Sequence, residues 1–344
     1  MKPDLDSAAM KRVRFAPSPT GSLHIGNALS AVANRALGDW MLLRIDDTDA
    51  ARNVPGGEEA ILRDLAWLGV EWDDGPVLES ERAERHREAA AGLPQRFDGV
   101  MLWRDDGSPT YQLASVVDDA DFGITHVVRG SDHRPNEALH RRLHDALGTH
   151  APEYIHHGLI LGRDGKKMSK RAEGSTVASL RDAGIPPEAV RRYLDQLGLP
   201  KHDVRYDLPR IRRYAIETIG QLPDDELAAR VGVPLSAGPV LRGARDLVEA
   251  RSNADAVLNA PSDKMSLGEN GPVTLARFRE LRERANGSLS YESAKTLVRE
   301  LKATGGDLHA LRVALTGRDR GPELAAVVAA LDRDETLRRL DAAV

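Results

Sequence analysis

The chain has 344 residues and no cysteine. Disulfides, thiolate metal sites and thiol catalysis are therefore excluded, and a cytoplasmic location is the default expectation. No apolar run approaches the roughly 18 residues of a membrane helix, so we predict no membrane contact. The first ten residues are acidic and lack an apolar stretch, which predicts no secretory signal.

Lysine and aromatic residues are scarce and unevenly placed. Only nine of the 48 basic residues are lysine, and three of those nine lie at 166–170. Arginine does not imitate a compact ammonium group, so this cluster indicates a functional loop. Twelve of the fourteen aromatic residues precede residue 215, which predicts a domain boundary near 200–215. The net charge of −5 argues against broad attraction to nucleic acid.

Apolar patterning predicts an α/β domain followed by helices. Before residue 200, helical patterns alternate with five predicted strands, at Val13–Ala16, Trp40–Ile45, Val100–Trp103, Thr125–Val128 and Tyr154–Leu161. This alternation favours a Rossmann-like parallel sheet that binds a nucleotide. Beyond it, helical spacing recurs at Leu222–Val231, Ala237–Ala250, Leu275–Ala285, Tyr291–Leu301, Glu323–Leu331 and Glu335–Ala343. We therefore predict a catalytic domain over 1–200 and an all-helical C-terminal region over 201–344.

The first candidate motif runs from Arg14 to Asn27, as a strand, a Pro/Gly turn and the start of a helix. Free amides and the helix dipole make such a helix start a natural phosphate site. Gly26 has no Cβ, so a nucleobase can approach the backbone there. His24 can donate a hydrogen bond to phosphate oxygens. The alternative is an ordinary turn with a surface histidine.

The second candidate motif is the basic loop from Gly162 to Arg171, which follows an apolar run. It is not a P-loop, because Ile160 and Lys167 stand where glycine and Ser/Thr are required. Lysines on such a loop could close over a triphosphate and neutralise the leaving pyrophosphate. The alternative is a solvated basic turn.

Together the two motifs resemble the paired signatures of class I aminoacyl-tRNA synthetases. They read His24-Ile-Gly26-Asn27 and Lys167-Met168-Ser169-Lys170 in this chain. The wider resemblance is to the glutamyl-tRNA synthetase family and covers residues 12–200, with a weaker return near residue 311. Further blocks that carry it are Leu43–Asp49, Gly107–Tyr111, Val116–Asp119 and Gly123–Gly130.

This resemblance implies the reaction and the site residues. Glutamate would attack the α-phosphorus of ATP to form an adenylate, with Mg²⁺ carried by ATP and no dedicated metal-binding residues. His24, Lys167 and Lys170 would be catalytic. ATP would also contact Gly26, Asn27, Met168 and Ser169. The implied amino-acid pocket consists of Arg14, Ala16, Ser18, Asp46, Tyr111, Ser115 and Arg129, in which Arg14 and Arg129 bind carboxylates as guanidinium groups do.

Three departures from the family pattern bear on the substrate. Asp46 replaces a glutamate that holds the substrate's α-amino group, and Ser115 stands where many relatives have asparagine. Either change could alter selectivity or could be accommodated by a bridging water. The third departure is the connective insert that grips the tRNA acceptor end, which is nearly absent at 93–97.

Three functions remain open on the sequence alone. The chain is a glutamyl-tRNA synthetase-like ligase, an adenylating enzyme that passes its product to a small molecule or protein, or a non-catalytic module derived from a synthetase. The retained motifs favour an enzyme, whereas the lost insert makes tRNA a doubtful partner. We expect a monomer that binds glutamate or a similar amino acid.

Overall fold

The structure is a computed structural model, and it describes residues 10–261, 266–285 and 287–344. The N-terminal segment 1–9, for which the sequence predicts no secretory signal, lies outside the described residues. Backbone contacts divide the chain into two compact units. The first runs to Asp182 and includes Val190–Leu208, and the second consists of Ala183–Ala189 and Pro209–Val344.

The strands and helices alternate in the first half and give way to helices in the second. The strands are β1 (Arg12–Phe15), β2 (Trp40–Ile45), β3 (Asp74–Leu78), β4 (Arg96–Phe97), β5 (Val100–Met101), β6 (His126–Gly130), β7 (Glu153–His157), β8 (Ile160–Leu161) and β9 (Val204–Arg205). The helices that begin before residue 210 are α1 (Ile25–Leu37), α2 (Gly57–Trp67), α3 (Ala83–Ala89), α4 (Tyr111–Asp121), α5 (Glu137–Ala146), α6 (Val177–Asp182), α7 (Pro187–Leu197) and α8 (Leu208–Gln221). The later helices are α9 (Asp224–Val231), α10 (Gly238–Leu241), α11 (Leu247–Leu258), α12 (Gly271–Arg284), α13 (Tyr291–Ala303), α14 (Leu308–Thr316), α15 (Leu324–Ala330) and α16 (Arg333–Ala343).

The sheet of the first unit is parallel. Its strands β1, β2 and β3 lie side by side in that order, and β6 pairs with β7, also in parallel. The Thr125 amide donates to the Arg12 carbonyl at 2.9 Å, which places β6 beside β1. The predicted parallel-sheet class is therefore confirmed. In parallel α/β sheets, ligands bind at the carboxyl ends of the strands.

The second unit is helical and has its own apolar core. Buried side chains from α9 to α16 form it, with Phe278, Leu301, Leu311 and Val327 among the most completely enclosed. The predicted all-helical C-terminal region is confirmed for the described residues of this unit, but the strand β9 (Val204–Arg205) lies inside the predicted range 201–344. Among all the described residues, no helix is both long and apolar enough to cross a bilayer.

Two predicted strands differ from the structure. Val100–Trp103 is not a buried strand of the sheet, because β5 pairs antiparallel with β4 in a hairpin. Its turn, Asp98-Gly99, has left-handed φ values of 51° and 79°, which this hairpin turn requires. The segment Tyr154–Leu161 is not one continuous strand. The strand β7 ends at His157, and β8 begins at Ile160. The chain breaks between them because Gly158 packs directly on the backbone of His202.

The predicted helix Ala237–Ala250 is wrong. The structure has the short α10, a break, and then α11, which begins only at Leu247. Asp246 caps α11 by accepting a hydrogen bond from the Glu249 amide at 2.7 Å. An N-cap residue has a non-helical backbone, so a helix cannot run through it.

Candidate active site

His24 is the N-cap of α1, at the turn that follows β1. Its Nδ1 accepts a hydrogen bond from the Gly26 amide at 3.2 Å, so the neutral ring carries its proton on Nε2. Burial and the nearby Lys170 and Lys167 ammonium groups lower the pKa of His24. Among the described residues, the buried Nε2 has no hydrogen-bond partner. An unpaired buried donor costs about 1–3 kcal/mol, which a ligand oxygen would offset.

The first turn of α1 leaves space beside His24. A Cβ placed on Gly26 would meet only Nδ1 of His24, at 3.4 Å. The next residue, Asn27, is exposed at the helix start. The open backbone and the free amides of this turn suit an anionic ligand.

The basic loop lies against this turn. The Ile25 amide donates to the Ser175 carbonyl at 2.9 Å, which ties the chain after the loop to the start of α1. Lys170 Nζ donates to both the carbonyl and the hydroxyl of Thr20, each at 2.8 Å. Lys167 Nζ forms an ion pair with Asp132 at 3.0 Å and is largely exposed. The structure thus brings the two sequence motifs together.

The remaining predicted residues of this loop have local roles. Met168 is half-buried. Ser169 is exposed, and its hydroxyl accepts a hydrogen bond from the Arg171 amide at 3.2 Å. Burial lowers the pKa of Lys170, and the neighbouring Arg52 adds to this effect.

Two buried arginines lie at the carboxyl end of the sheet. Arg14 on β1 contacts Asp119 through Nε at 3.2 Å. Arg129 on β6 donates from Nη1 to the Tyr111 hydroxyl at 3.4 Å, and its buried Nη2 makes no hydrogen bond within the part of the chain that the structure describes. Burial lowers the pKa of Arg129, and the charge of Arg14 adds to this effect. Two neighbouring guanidinium groups with an unpaired N–H favour a ligand that carries a carboxylate.

The other predicted pocket residues differ in what they offer. Asp46 is bound by Arg44, which donates from Nε at 2.7 Å and from Nη2 at 3.3 Å. Burial raises the pKa of Asp46. Ser115 is fully buried and donates to the Tyr111 carbonyl within its own helix at 2.8 Å. Ala16 and Ser18 are half-buried in the segment after β1.

Sequence reasoning missed a buried charge cluster beneath this pocket. Arg44 is fully buried and donates to Asp119 at 3.3 Å, and its Nη2 lies 3.8 Å from Glu79. Glu79 is also fully buried, and one of its oxygens, Oε1, accepts no hydrogen bond from any described residue. Asp118 accepts from both Arg82 at 2.6 Å and His86 at 2.8 Å. The one available signal was a charged residue within the apolar run Trp40–Ile45.

Comparison with known proteins assigns the chain to a family. A family model described as tRNA synthetases class I (E and Q), catalytic domain, matches residues 10–98 and 89–208. Glutamate–tRNA ligase 1 of Rubrobacter xylanophilus is 33% identical, with 96% of this chain and 97% of the relative covered. The chain belongs to the glutamyl-tRNA synthetase family. It is accordingly an enzyme of the ligase class.

Further comparisons extend the family assignment to nearly the whole chain. The glutamate–tRNA ligase of Geobacter sulfurreducens is 30% identical, with 97% of this chain and 98% of the relative covered. A crystal structure of a glutamate tRNA ligase from Elizabethkingia meningosepticum, in complex with its amino acid, matches with a TM-score of 0.71. It is 23% identical and the match covers 97% of this chain and 99% of that one, which shows a shared fold.

This glutamyl-tRNA synthetase family member is a short one. Its alignment with the Rubrobacter relative extends over 422 positions, more than its own 344 residues, so the relative carries segments that it lacks. The family model matches in two pieces that meet at 89–98, around the predicted site of the missing insert.

The expectation that tRNA is a doubtful partner receives no support. The relatives that align with this chain over almost their full length are named as glutamate–tRNA ligases. A second family model, described as an anticodon binding domain, matches residues 249–344.

Proposed function

We propose that this protein activates glutamate with ATP and transfers the glutamyl group to tRNA. The observation that carries the proposal is the buried Nη2 of Arg129, which has no hydrogen-bond partner among the described residues. It lies beside Arg14, on the sheet edge that also positions His24. An amino acid with a side-chain carboxylate would pair with these cations. A neutral side chain would leave a buried charge uncompensated, which costs several kcal/mol.

The first step is an in-line displacement on ATP. An oxygen of the glutamate α-carboxylate bonds to the α-phosphorus as the bond to pyrophosphate breaks, which gives glutamyl adenylate and pyrophosphate. The His24 Nε2–H would donate to phosphate oxygens as their charge grows. Lys170 and Lys167 would neutralise the departing pyrophosphate, with Gly26, Asn27, Met168 and Ser169 lining the nucleotide side. Mg²⁺ bound to the ATP phosphates would withdraw further charge.

The amino-acid side of the site would comprise Arg14, Ala16, Ser18, Asp46, Tyr111 and Arg129. Asp46 is the acceptor available for the substrate's ammonium group, and Arg44 holds it in place through two contacts. Ser115 belongs to the proposed pocket as a wall residue, since its hydroxyl is taken up within α4.

In the second step, a ribose hydroxyl at the tRNA 3′ end attacks the carbonyl carbon of the adenylate, and AMP leaves. The anticodon-domain match over 249–344 supports tRNA as the acceptor. Such an enzyme would work in the cytoplasm.

A second candidate is transfer to a small molecule or a protein. The hairpin β4–β5 favours this candidate, because it and the short segment 93–97 occupy the place of the acceptor-gripping insert. Positioning of the acceptor contributes several kcal/mol to transfer steps.

The test is pyrophosphate exchange with each of the twenty amino acids, with and without total tRNA. We expect exchange with glutamate, a weaker signal with aspartate, and background for leucine and lysine. Exchange driven equally by neutral amino acids would contradict the proposed pocket. Background exchange for all twenty under both conditions would overturn the proposed activity.

A further inference from the structure

We propose that His156 is a positioning residue that, together with Glu137, aims Arg129 at the carboxylate of the substrate. The inference rests on the proposed function and assigns a role to two residues that the sequence motifs did not single out. Both lie outside the two nucleotide motifs, and neither belongs to the pocket predicted from the family.

His156 and Arg129 are direct partners across the parallel pair β6 and β7. Arg129 donates from Nε to Nε2 of His156 at 3.3 Å. This bond requires a lone pair on Nε2, so the imidazole must be neutral with its proton on Nδ1. Burial, together with the charge of Arg129, lowers the pKa of His156 to about 4. The ring therefore stays an acceptor at neutral pH.

Glu137 favours the required tautomer. Its Oε2 lies 3.5 Å from Nδ1 of His156, where a carboxylate favours a proton on that nitrogen. Its other oxygen, Oε1, accepts from Arg141 Nε at 2.9 Å, which holds the carboxylate in place at the start of α5. The three groups thus form a chain from Glu137 through His156 to Arg129.

The ring of Tyr154 limits rotation of the arginine. The Arg129 guanidinium lies 5.1 Å from the centre of this ring, and the Arg141 guanidinium lies 5.0 Å from it. Tyr154 is also stacked with His156, at an interplanar angle of 13°. These contacts confine the plane of the Arg129 guanidinium.

The geometry leaves one arginine nitrogen for a ligand. Nε donates to His156 and Nη1 donates to the Tyr111 hydroxyl, whereas the buried Nη2 has no partner in residues 10–261, 266–285 and 287–344. Because a guanidinium is planar and rigid, fixing two of its nitrogens fixes the direction of the third. Preorganised donors of this kind improve binding by reducing the ordering that a ligand must impose.

The experiment compares four variants in glutamate-dependent pyrophosphate exchange, with tRNA present. His156→Ala removes the acceptor, His156→Gln places an amide oxygen near the position of Nε2, and Glu137→Ala removes the tautomer control. His150→Ala is the matched control, because His150 is exposed in the same unit.

We expect His156→Ala to raise the KM for glutamate about tenfold or more, with kcat and the KM for ATP changed less than about twofold. His156→Gln should recover most of the loss, and Glu137→Ala should show a smaller increase in the same KM. The preference for glutamate over glutamine should fall in His156→Ala, because Arg129 is no longer held in one direction.

Several results would overturn the proposal. One is an unchanged KM for glutamate in His156→Ala. Another is an equal loss of kcat and thermal stability in His156→Ala and His156→Gln, which would make the residue merely structural. If the wild-type enzyme exchanges with no amino acid, the proposed function fails and this inference fails with it. An active wild type with an unaffected His156→Ala removes the inference alone.

Discussion

Lys170 Nζ donates to the Thr20 carbonyl and hydroxyl, and it lies 3.5 Å from the carbonyl oxygen of Ser22, two residues before His24. An ammonium group held by neutral oxygens can exchange them for phosphate oxygens as negative charge develops. Interactions made only in the transition state appear in kcat rather than in KM. We therefore expect Lys170 to act on the transition state rather than on the binding of ATP.

Lys170→Ala should lower kcat for pyrophosphate exchange about 100-fold, by analogy with loss of one transition-state donor. The KM for ATP should change little. Lys201→Ala, which removes an exposed lysine outside the loop, is the control. A loss that falls wholly on the KM for ATP would assign Lys170 to ground-state binding instead.

Glu79 provides a prediction about stability. Burial raises the pKa of Glu79 well above its ordinary value, and the charge of Asp46 adds to this effect. The folded state therefore holds a proton that the unfolded state releases at lower pH. This contribution to the free energy of unfolding is present at acidic pH and is lost as the pH rises through the folded-state pKa.

Glu79→Gln removes this titration while preserving the shape of the side chain. Between pH 5 and pH 8, the free energy of unfolding of the wild type should fall relative to that of Glu79→Gln by about 1 kcal/mol or more. Urea denaturation at several pH values measures the difference, with the exposed Glu81→Gln as control. Parallel pH profiles for the wild type and Glu79→Gln would show that Glu79 is ionised in the folded state.

The residues predictable from the sequence were those carried by contiguous motifs. The structure brings together His24 and Lys170, which belong to two such motifs. The partners Arg44–Asp119 and Arg129–His156 could not be predicted in this way. Each pair joins separate strands or helices, and burial of a charge becomes evident only when its counter-charge is located in space.

At the scale of elements, the candidate site lies at the carboxyl ends of the strands β1, β2, β6 and β7. The carboxyl end of β7 is fixed by the short break that separates it from β8. At this break the Gly158 amide donates to the Pro200 carbonyl at 2.6 Å. A Cβ on Gly158 would lie 2.0 Å from the carbonyl oxygen of His202. Glycine is required by this close approach of two backbones.

Gly158→Ala should therefore lower the free energy of unfolding by about 1–3 kcal/mol, the usual cost of an added methyl group in a packed site. Gly92→Ala is the matched control, because a Cβ there would meet no atom of the described residues within 4 Å. Thermal and urea denaturation of both variants provide the comparison. Equal midpoints for Gly158→Ala and the wild type would contradict the close packing.

Apolar periodicity predicted some strands of the sheet and missed others. It predicted the strand Trp40–Ile45 with the observed bounds. It did not predict β3, whose Gly75-Pro76 pair argues against a strand. The structure tolerates this proline because β3 lies at the edge of its three-stranded sheet, where a missing donor is less costly. The Asp98-Gly99 pair is a hairpin signal that apolar patterning alone does not detect.

At the scale of the whole molecule, this chain of 344 residues is a short member of its family. Relatives of similar sequence over almost their full length carry segments that this chain lacks. The sequence predicts domains over 1–200 and 201–344. Backbone contacts place the last boundary between the two units at Leu208–Pro209. The net charge of −5 did not reveal the anticodon-domain match over residues 249–344, because that match depends on residue pattern rather than on net charge.

Charging of tRNA with labelled glutamate tests the central claim most directly. The assay uses total tRNA and ATP at about 0.15 M salt, because low salt exaggerates phosphate attraction. We predict that label becomes acid-precipitable, depends on ATP, and is released by mild alkali as an ester would be. The account would be contradicted if glutamate-dependent pyrophosphate exchange proceeds while all the label stays acid-soluble, because the acceptor would then not be tRNA.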